Sequence, residues 1–331
     1  MRRRIIKALS AFLVMTALVA ATAPSASAAT ALPLSGFGDI AVDQANQRVF
    51  VSGGPTSNGI VVTDFAGNVV KSINSQSGAT GLEMSADGTL LFAALAAGDA
   101  ISVISTTTLT ETHRYATGPC PTHLARSKTT VWFGYGCEGT FAGKIGKLEH
   151  LAAKPVTGDL QGATRYQRAP LLTATDTDML IAGQLALSLS TVQVYYIEAG
   201  ALTPDSTGEV GASLVDLDLT PDGLTLHSAA GSRDRVEAWS PTNLARRGAY
   251  AARPRPNAVA VTERFVAVGA LTGDANDVMI YEHGGSVPTS TRALPTGHTV
   301  VPRGLAWGAD RLFVITSRDN QPQPNIEIFT V

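Results

Sequence analysis

A unit of roughly 40–50 residues recurs seven times along this chain, and that recurrence limits the fold more than any other feature. Each unit begins with an apolar run ending in a small or polar turn, followed shortly by a second apolar run. The first copy reads Asp39-Ile40-Ala41-Val42-Asp43 with Val49-Phe50-Val51, and the second reads Leu82-Glu83-Met84-Ser85 with Leu90-Leu91-Phe92. Later copies pair Leu124–Ser127 with Val131–Phe133, Leu172–Thr175 with Met179–Ile181, and Leu217–Thr220 with Leu224–Leu226. The last two pair Val259–Thr262 with Phe265–Ala267, and Leu305–Gly308 with Leu312–Val314. A third run, rich in β-branched residues, follows at 59–63, 101–104, 192–197, 236–239, 278–281 and 326–329, and a short fourth comes after it. No unit holds a persuasive helix with 3.6-residue periodicity. Asp87-Gly88 and Asp222-Gly223 fall between first and second runs in units two and five, where a tight hairpin turn is needed.

Short strands punctuated by turns predict an all-β protein. Two β-sandwiches would need fewer and longer strands and would leave sevenfold recurrence unexplained. A four-stranded unit cannot bury both faces alone, so it must stack on its neighbours. Seven stacked units closing into a ring give a seven-bladed β-propeller with four-stranded blades. The seventh unit reaches Val331 after its third run. The run Ala31-Leu32-Pro33-Leu34-Ser35-Gly36 resembles Ala293-Leu294-Pro295-Thr296-Gly297, read as the fourth strand of unit six. Residues near 30–35 are therefore expected to form the outer strand of the last blade and close the ring.

Residues 1–28 read as an export signal and 29–331 as the propeller domain. Arg2, Arg3, Arg4 and Lys7 precede an apolar stretch from Ala8 to about Ala21, and Ala26-Ser27-Ala28 forms a small-x-small cleavage site. The apolar run is short for a membrane anchor. Arg2–Lys7 also resembles a twin-arginine signal, with ordinary export the simpler reading. The remaining chain carries 21 Lys and Arg against 27 Asp and Glu, a formal charge of −6. That charge offers no footprint for nucleic acid, and no later stretch is long and apolar enough to span a bilayer. A secreted or cell-envelope location is expected. Export is oxidising, so Cys120 and Cys137 should pair: one precedes the first strand of blade three and the other ends the second, which are neighbouring ends of an antiparallel pair. A redox pair is the alternative, without C-x-x-C spacing to support it.

The chain resembles the seven-bladed propellers of the YVTN/YncE-like family. The resemblance rests on Pro121, Pro256 and Pro302 before the first strands, the two Asp-Gly turns and the Val/Ile-rich third strands. Cys120-Pro121 with Trp132–Cys137 is similar to a subgroup of exported bacterial propellers. The resemblance implies fold and location more than activity, since fold does not fix function.

Chemistry is harder to locate. The histidines at 113, 123, 150, 227, 283 and 298 form no metal-binding spacing, and neither a nucleophile elbow nor a phosphate-binding loop is present. Asp216 and Asp218 alternate along a strand and so share one face, as an acid/base pair would; satisfaction by backbone donors is the commoner outcome. In a propeller the loops from second to third strand and the lead-ins to first strands share one face, here termed the top. Its loops carry Asp99, Glu138, Asp234, Asp274, Asp277, Arg318 and Asp319. Asp274-Ala275-Asn276-Asp277 is similar to a calcium loop but lacks its length and terminal Glu. The lead-ins place Asp39, Thr80, His123, Asp216, Asn257 and Arg303 at the channel mouth as candidate ligand-binding residues. The expected function is a non-catalytic, monomeric binding module for a protein, glycan or envelope component. The alternative is a propeller enzyme of the lyase or lactonase type acting in the central pocket. No cofactor, metal or catalytic residue is assigned.

Overall fold

The computed structural model describes residues 29–271, 277–318 and 321–331. They form seven four-stranded antiparallel sheets, each a blade of one ring. Blades one to six each use four consecutive strands. Blade seven combines three C-terminal strands with Thr30–Ala31 from the amino end. The inner strands are Ile40–Asp43, Ala79–Met84, His123–Ser127, Leu171–Thr175, Leu214–Leu219, Pro256–Val261 and His298–Gly308.

The burial pattern explains why the repeat is visible as apolar runs. In blade two, Leu90–Leu95 and Ala100–Ser105 are buried almost throughout, while the outer strand Thr110–Ala116 is nearly all exposed. Middle strands lie between adjacent blades and lose both faces to neighbours. Alternate residues serve opposite neighbours: Leu124, Val131 and Phe133 pack with blade two, whereas Ala125 and Trp132 pack with blade four. Seven apolar clusters result, one at each interface between consecutive blades, including that between blades seven and one.

Ring closure follows the expectation, with a narrower pairing. Thr30 pairs with Ile326 and Ala31 with Asn325, and the Leu32 amide donates to the Pro324 carbonyl at 2.9 Å. Leu32 is fully buried beside Val49 and Phe313, linking first and last blades. Pairing ends there because Pro324 has no N–H to return to the Leu32 carbonyl, which accepts from Gln323 Nε2 at 3.0 Å instead. Blade six has the same layout: its outer strand is Ser290–Arg292, and Ala293-Leu294-Pro295 follows that strand instead of forming it. Two further departures are local. The second strand of blade five begins at Leu226, leaving Leu224 exposed in the turn. Blade three has its third strand at Lys144–Glu149, where no β-branched run marks it.

The Asp-Gly turns form as expected. Gly88 and Gly223 have φ of 70° and 71°, and their amides donate to Ser85 and Thr220 carbonyls at 3.0 and 2.7 Å. Cys120 and Cys137 are bonded, with Cα atoms 5.0 Å apart. No helix among the described residues is long and apolar enough to cross a membrane.

Candidate functional site

An inner strand is the edge of its sheet, so amides along one side lack a ladder partner. Here side chains of the preceding blade meet several of them. Asp39 accepts the Leu82 amide at 3.0 Å, Asp216 the Val259 amide at 2.8 Å and Asp218 the Val261 amide at 2.8 Å. Asn257 donates to the Val300 carbonyl at 2.6 Å. All four contacts span 43 residues and join one blade to the next. The second carboxylate oxygen of each acid accepts the amide of the next residue at 2.9 Å. The Thr80 hydroxyl lies 3.2 Å from the Ala94 carbonyl and 3.4 Å from the Pro121 carbonyl, which share its one proton.

The three acids and their neighbours surround a central cavity of about 240 Å³, lined by Asp39, Glu83, His123, Asp216, Asp218 and Arg303 among mostly apolar inner-strand residues. Burial raises the Asp39 carboxyl above its ordinary range, against the pull of Arg303. It raises Asp216 well above that range and pushes Asp218 up to about 7. Glu83 also reaches about 7: burial dominates, Arg126 opposes it, and Asp39 and Asp218 add to it. Asp39, Glu83 and Asp218 keep partial contact with solvent, so burial here means a narrow, poorly solvated channel and not exclusion of water. The expected shared face of Asp216 and Asp218 is present, but both carboxyl groups hold backbone donors. Glu83 was not among the candidates. Aligning the repeats finds it, because Leu82-Glu83 in blade two matches Leu217-Asp218 in blade five.

His123 is buried, and burial followed by the Arg303 charge holds its imidazole well below the ordinary histidine range. Neutral His123 therefore accepts a hydrogen bond at Nδ1 from Arg303 Nη1, at 2.8 Å, which leaves the proton on Nε2. Arg303 Nη2 donates to the Gly38 carbonyl. One guanidinium thus ties blade seven to blade three across the axis and to blade one beside it.

Above this tie lies a second cavity, of about 440 Å³. Its walls come from lead-ins (Phe37, Thr122, Arg168, Ala169), the start of an inner strand (Thr80) and second-to-third-strand loops (Pro55, Ala96, Ala97, Glu138, Leu185), so it opens on the top face. Among the described residues, His123 and Arg303 are the only lining residues the two cavities share. Cys120 lines the upper cavity, and its bond to Cys137 fixes the blade-three wall. At the rim Arg168 pairs with Glu138 at 2.8 Å.

The six candidates are thus divided. Asp39, His123, Asp216 and Arg303 line the lower cavity; Thr80 joins His123 and Arg303 around the upper one; Asn257 lines neither. Among the loop candidates, Asp99 accepts the Cys120 amide at 2.9 Å, Asp277 accepts the Leu294 amide at 2.8 Å, and Asp234 lies 3.7 Å from Arg253. Arg318 is exposed at the end of its strand. Asp274, most of the calcium-like loop, Asp319 and the amino-terminal export segment lie outside the described residues. No group of three or more His, Cys, Asp or Glu among the described residues is arranged to hold a metal ion.

No family model matches the chain, and no curated protein matches it in sequence. Solved structures do match in shape. A chain in a crystal structure of the mitotic checkpoint complex superposes with a TM-score of 0.73 at 15% identity, covering 100% of this chain and 99% of that one. Hydrazine synthase from Kuenenia stuttgartiensis gives 0.66 at 13% identity, with 91% and 97% covered. At such identities the likeness shows the fold alone: the chain is a seven-bladed β-propeller, closed by its amino-terminal strand.

Proposed function

We propose that this chain is an exported propeller of the YVTN/YncE-like kind that works by binding a protein, glycan or envelope component through its top face. The observation that carries the reading is the upper cavity of about 440 Å³, walled largely by Phe37, Pro55, Ala96, Ala97 and Leu185. A concave, mostly apolar site with a few convergent polar groups is what binding sites share. The propeller fold is consistent with such a role at this level. The acids of the lower cavity support it indirectly, since their oxygens already serve backbone amides.

A thermal-shift screen of the chain from Ala29 onward, against glycans, cell-wall fragments and peptides, tests the proposal, because a ligand specific to the folded state raises the melting temperature. Hits should vanish in Ala97→Trp, which fills the top-face cavity, and persist in Ala86→Trp on the opposite face. Hits that survive Ala97→Trp would refute the reading. Detection of the processed chain in the extracellular or envelope fraction, starting near Ala29, tests the export part.

A further inference from the structure

Arg303 lies at the floor of the upper cavity, and no carboxylate among the described residues forms an ion pair with it. Among the described residues its hydrogen bonds go to neutral acceptors, His123 Nδ1 and the Gly38 carbonyl. The remaining N–H groups of the guanidinium have no acceptor in the described protein. Asp39 and Asp216 line the lower cavity, where each carboxyl already holds two backbone amides and burial raises its pKa against the pull of Arg303. His123 is neutral and adds an Nε2–H donor with no protein partner among the described residues. The other arginine of the cavity, Arg168, is already matched by Glu138. Arg303 also holds a left-handed backbone with φ of 62°, which costs a non-glycine residue free energy, and such costs persist where the surrounding structure fixes them.

We propose that the upper cavity takes a small amphiphilic carboxylate, its head group seated against Arg303 and its apolar body along Phe37, Pro55, Ala97 and Leu185. This deepens the binding reading above and rests on it. The charge count selects the head group. A single unmatched guanidinium complements a monoanion, and its planar fork fits the two oxygens of a carboxylate. A dianionic phosphate would bring one negative charge that the site leaves unmatched. The apolar walls select the body, because removing it from water supplies the non-specific part of the affinity.

Titration calorimetry with octanoate, octanamide, octylamine and octyl phosphate separates these contributions. Octanoate should bind at least about tenfold more tightly than octanamide, as expected for a charge-assisted pair in a poorly solvated site, and octylamine more weakly still. Octanoate binding should be lost in Ala97→Trp, and in Arg303→Gln octanoate should fall to the level of octanamide. If Arg303→Gln does not fold, the head-group series on the native chain decides alone. Equal binding of octanoate and octanamide, both lost in Ala97→Trp, would overturn the head-group assignment while the top-face reading stands. Octyl phosphate binding more tightly than octanoate, or octanoate not binding, would likewise overturn it. Octanoate binding undiminished in Ala97→Trp would overturn both.

Discussion

Glu83 offers a direct test of what the channel acids do. Its carboxyl lies 3.9 Å from the Arg126 guanidinium, a distance at which the two could be taken for a stabilising ion pair. Burial outweighs that attraction, and the folded-state pKa rises from 4.5 to about 7. The folded protein therefore keeps a proton that the unfolded chain releases near pH 4.5. Stability from that proton is complete below 4.5 and is lost as pH climbs through about 7. The shift corresponds to at most about 3 kcal/mol, less where channel water screens the charge. Glu83→Gln keeps the shape and removes the titration. Urea and thermal melts at about pH 4 and about pH 9 are the assay. At the lower pH the variant should match the parent. At the higher pH it should be more stable, by up to about 3 kcal/mol or about 5 °C in melting temperature for a chain of this size. A variant less stable than the parent at high pH would show that the Arg126 pair is net stabilising and would refute the reasoning.

Three other perturbations test separate features. Asp216→Ala strips the Val259 amide of its acceptor in a buried position, which should cost about 1–3 kcal/mol in urea unfolding and speed hydrogen exchange at Val259 specifically. Leu32→Ala empties a fully buried site in the closing contact between first and last blades; a loss of about 3–5 kcal/mol is expected, and a change near zero would mean the closing segment is not needed for stability. Gly88→Ala, with open space around its Cβ, should cost only about 1–2 kcal/mol for its left-handed backbone, whereas Gly223→Ala adds a Cβ 2.6 Å from Thr177 Oγ1 and should cost more by the same measurement.

The ring was legible because the second and third strands of a blade are covered on both sides, so burial writes itself as unbroken apolar runs such as Leu91–Leu95. Where packing is shared differently, the signal fades. In Lys144–Glu149 only Ile145 and Leu148 bring buried hydrophobic side chains, and Gly146 faces Phe133, whose ring would lie 2.3 Å from a Cβ at that glycine. The bulk that fills this interface comes from the second strand, so the third reads as polar. The channel residues were legible as positions and not as partners. Asp39, Asp216 and Asp218 stand out as acids on or just before inner strands, but their acceptor role depends on an amide 43 residues later. Glu83 and Arg126 needed the repeats to be superposed. The upper cavity was the least legible feature, since its apolar wall consists of scattered loop residues such as Phe37, Pro55 and Leu185 with no common spacing.

The division between the two cavities follows from the edges of the inner strands. A propeller must place seven sheet edges around its axis, and each edge carries amides that need acceptors or water. Carboxylates reaching one blade forward meet that need, and the poorly solvated channel they create raises their own pKa values. A carboxyl group occupied by two backbone amides has its orientation fixed by the fold, so exchanging it for a substrate would loosen the junction between two blades. Binding at the lower cavity therefore competes with the ring itself. The top face carries no such conflict. Its cavity walls are loops and lead-ins whose side chains can vary without exposing a sheet edge, and the bond between Cys120 and Cys137 holds one wall independently of the strand ladder. Arg303 belongs to both settings: two of its N–H groups tie three blades together, and its side chain lines both cavities.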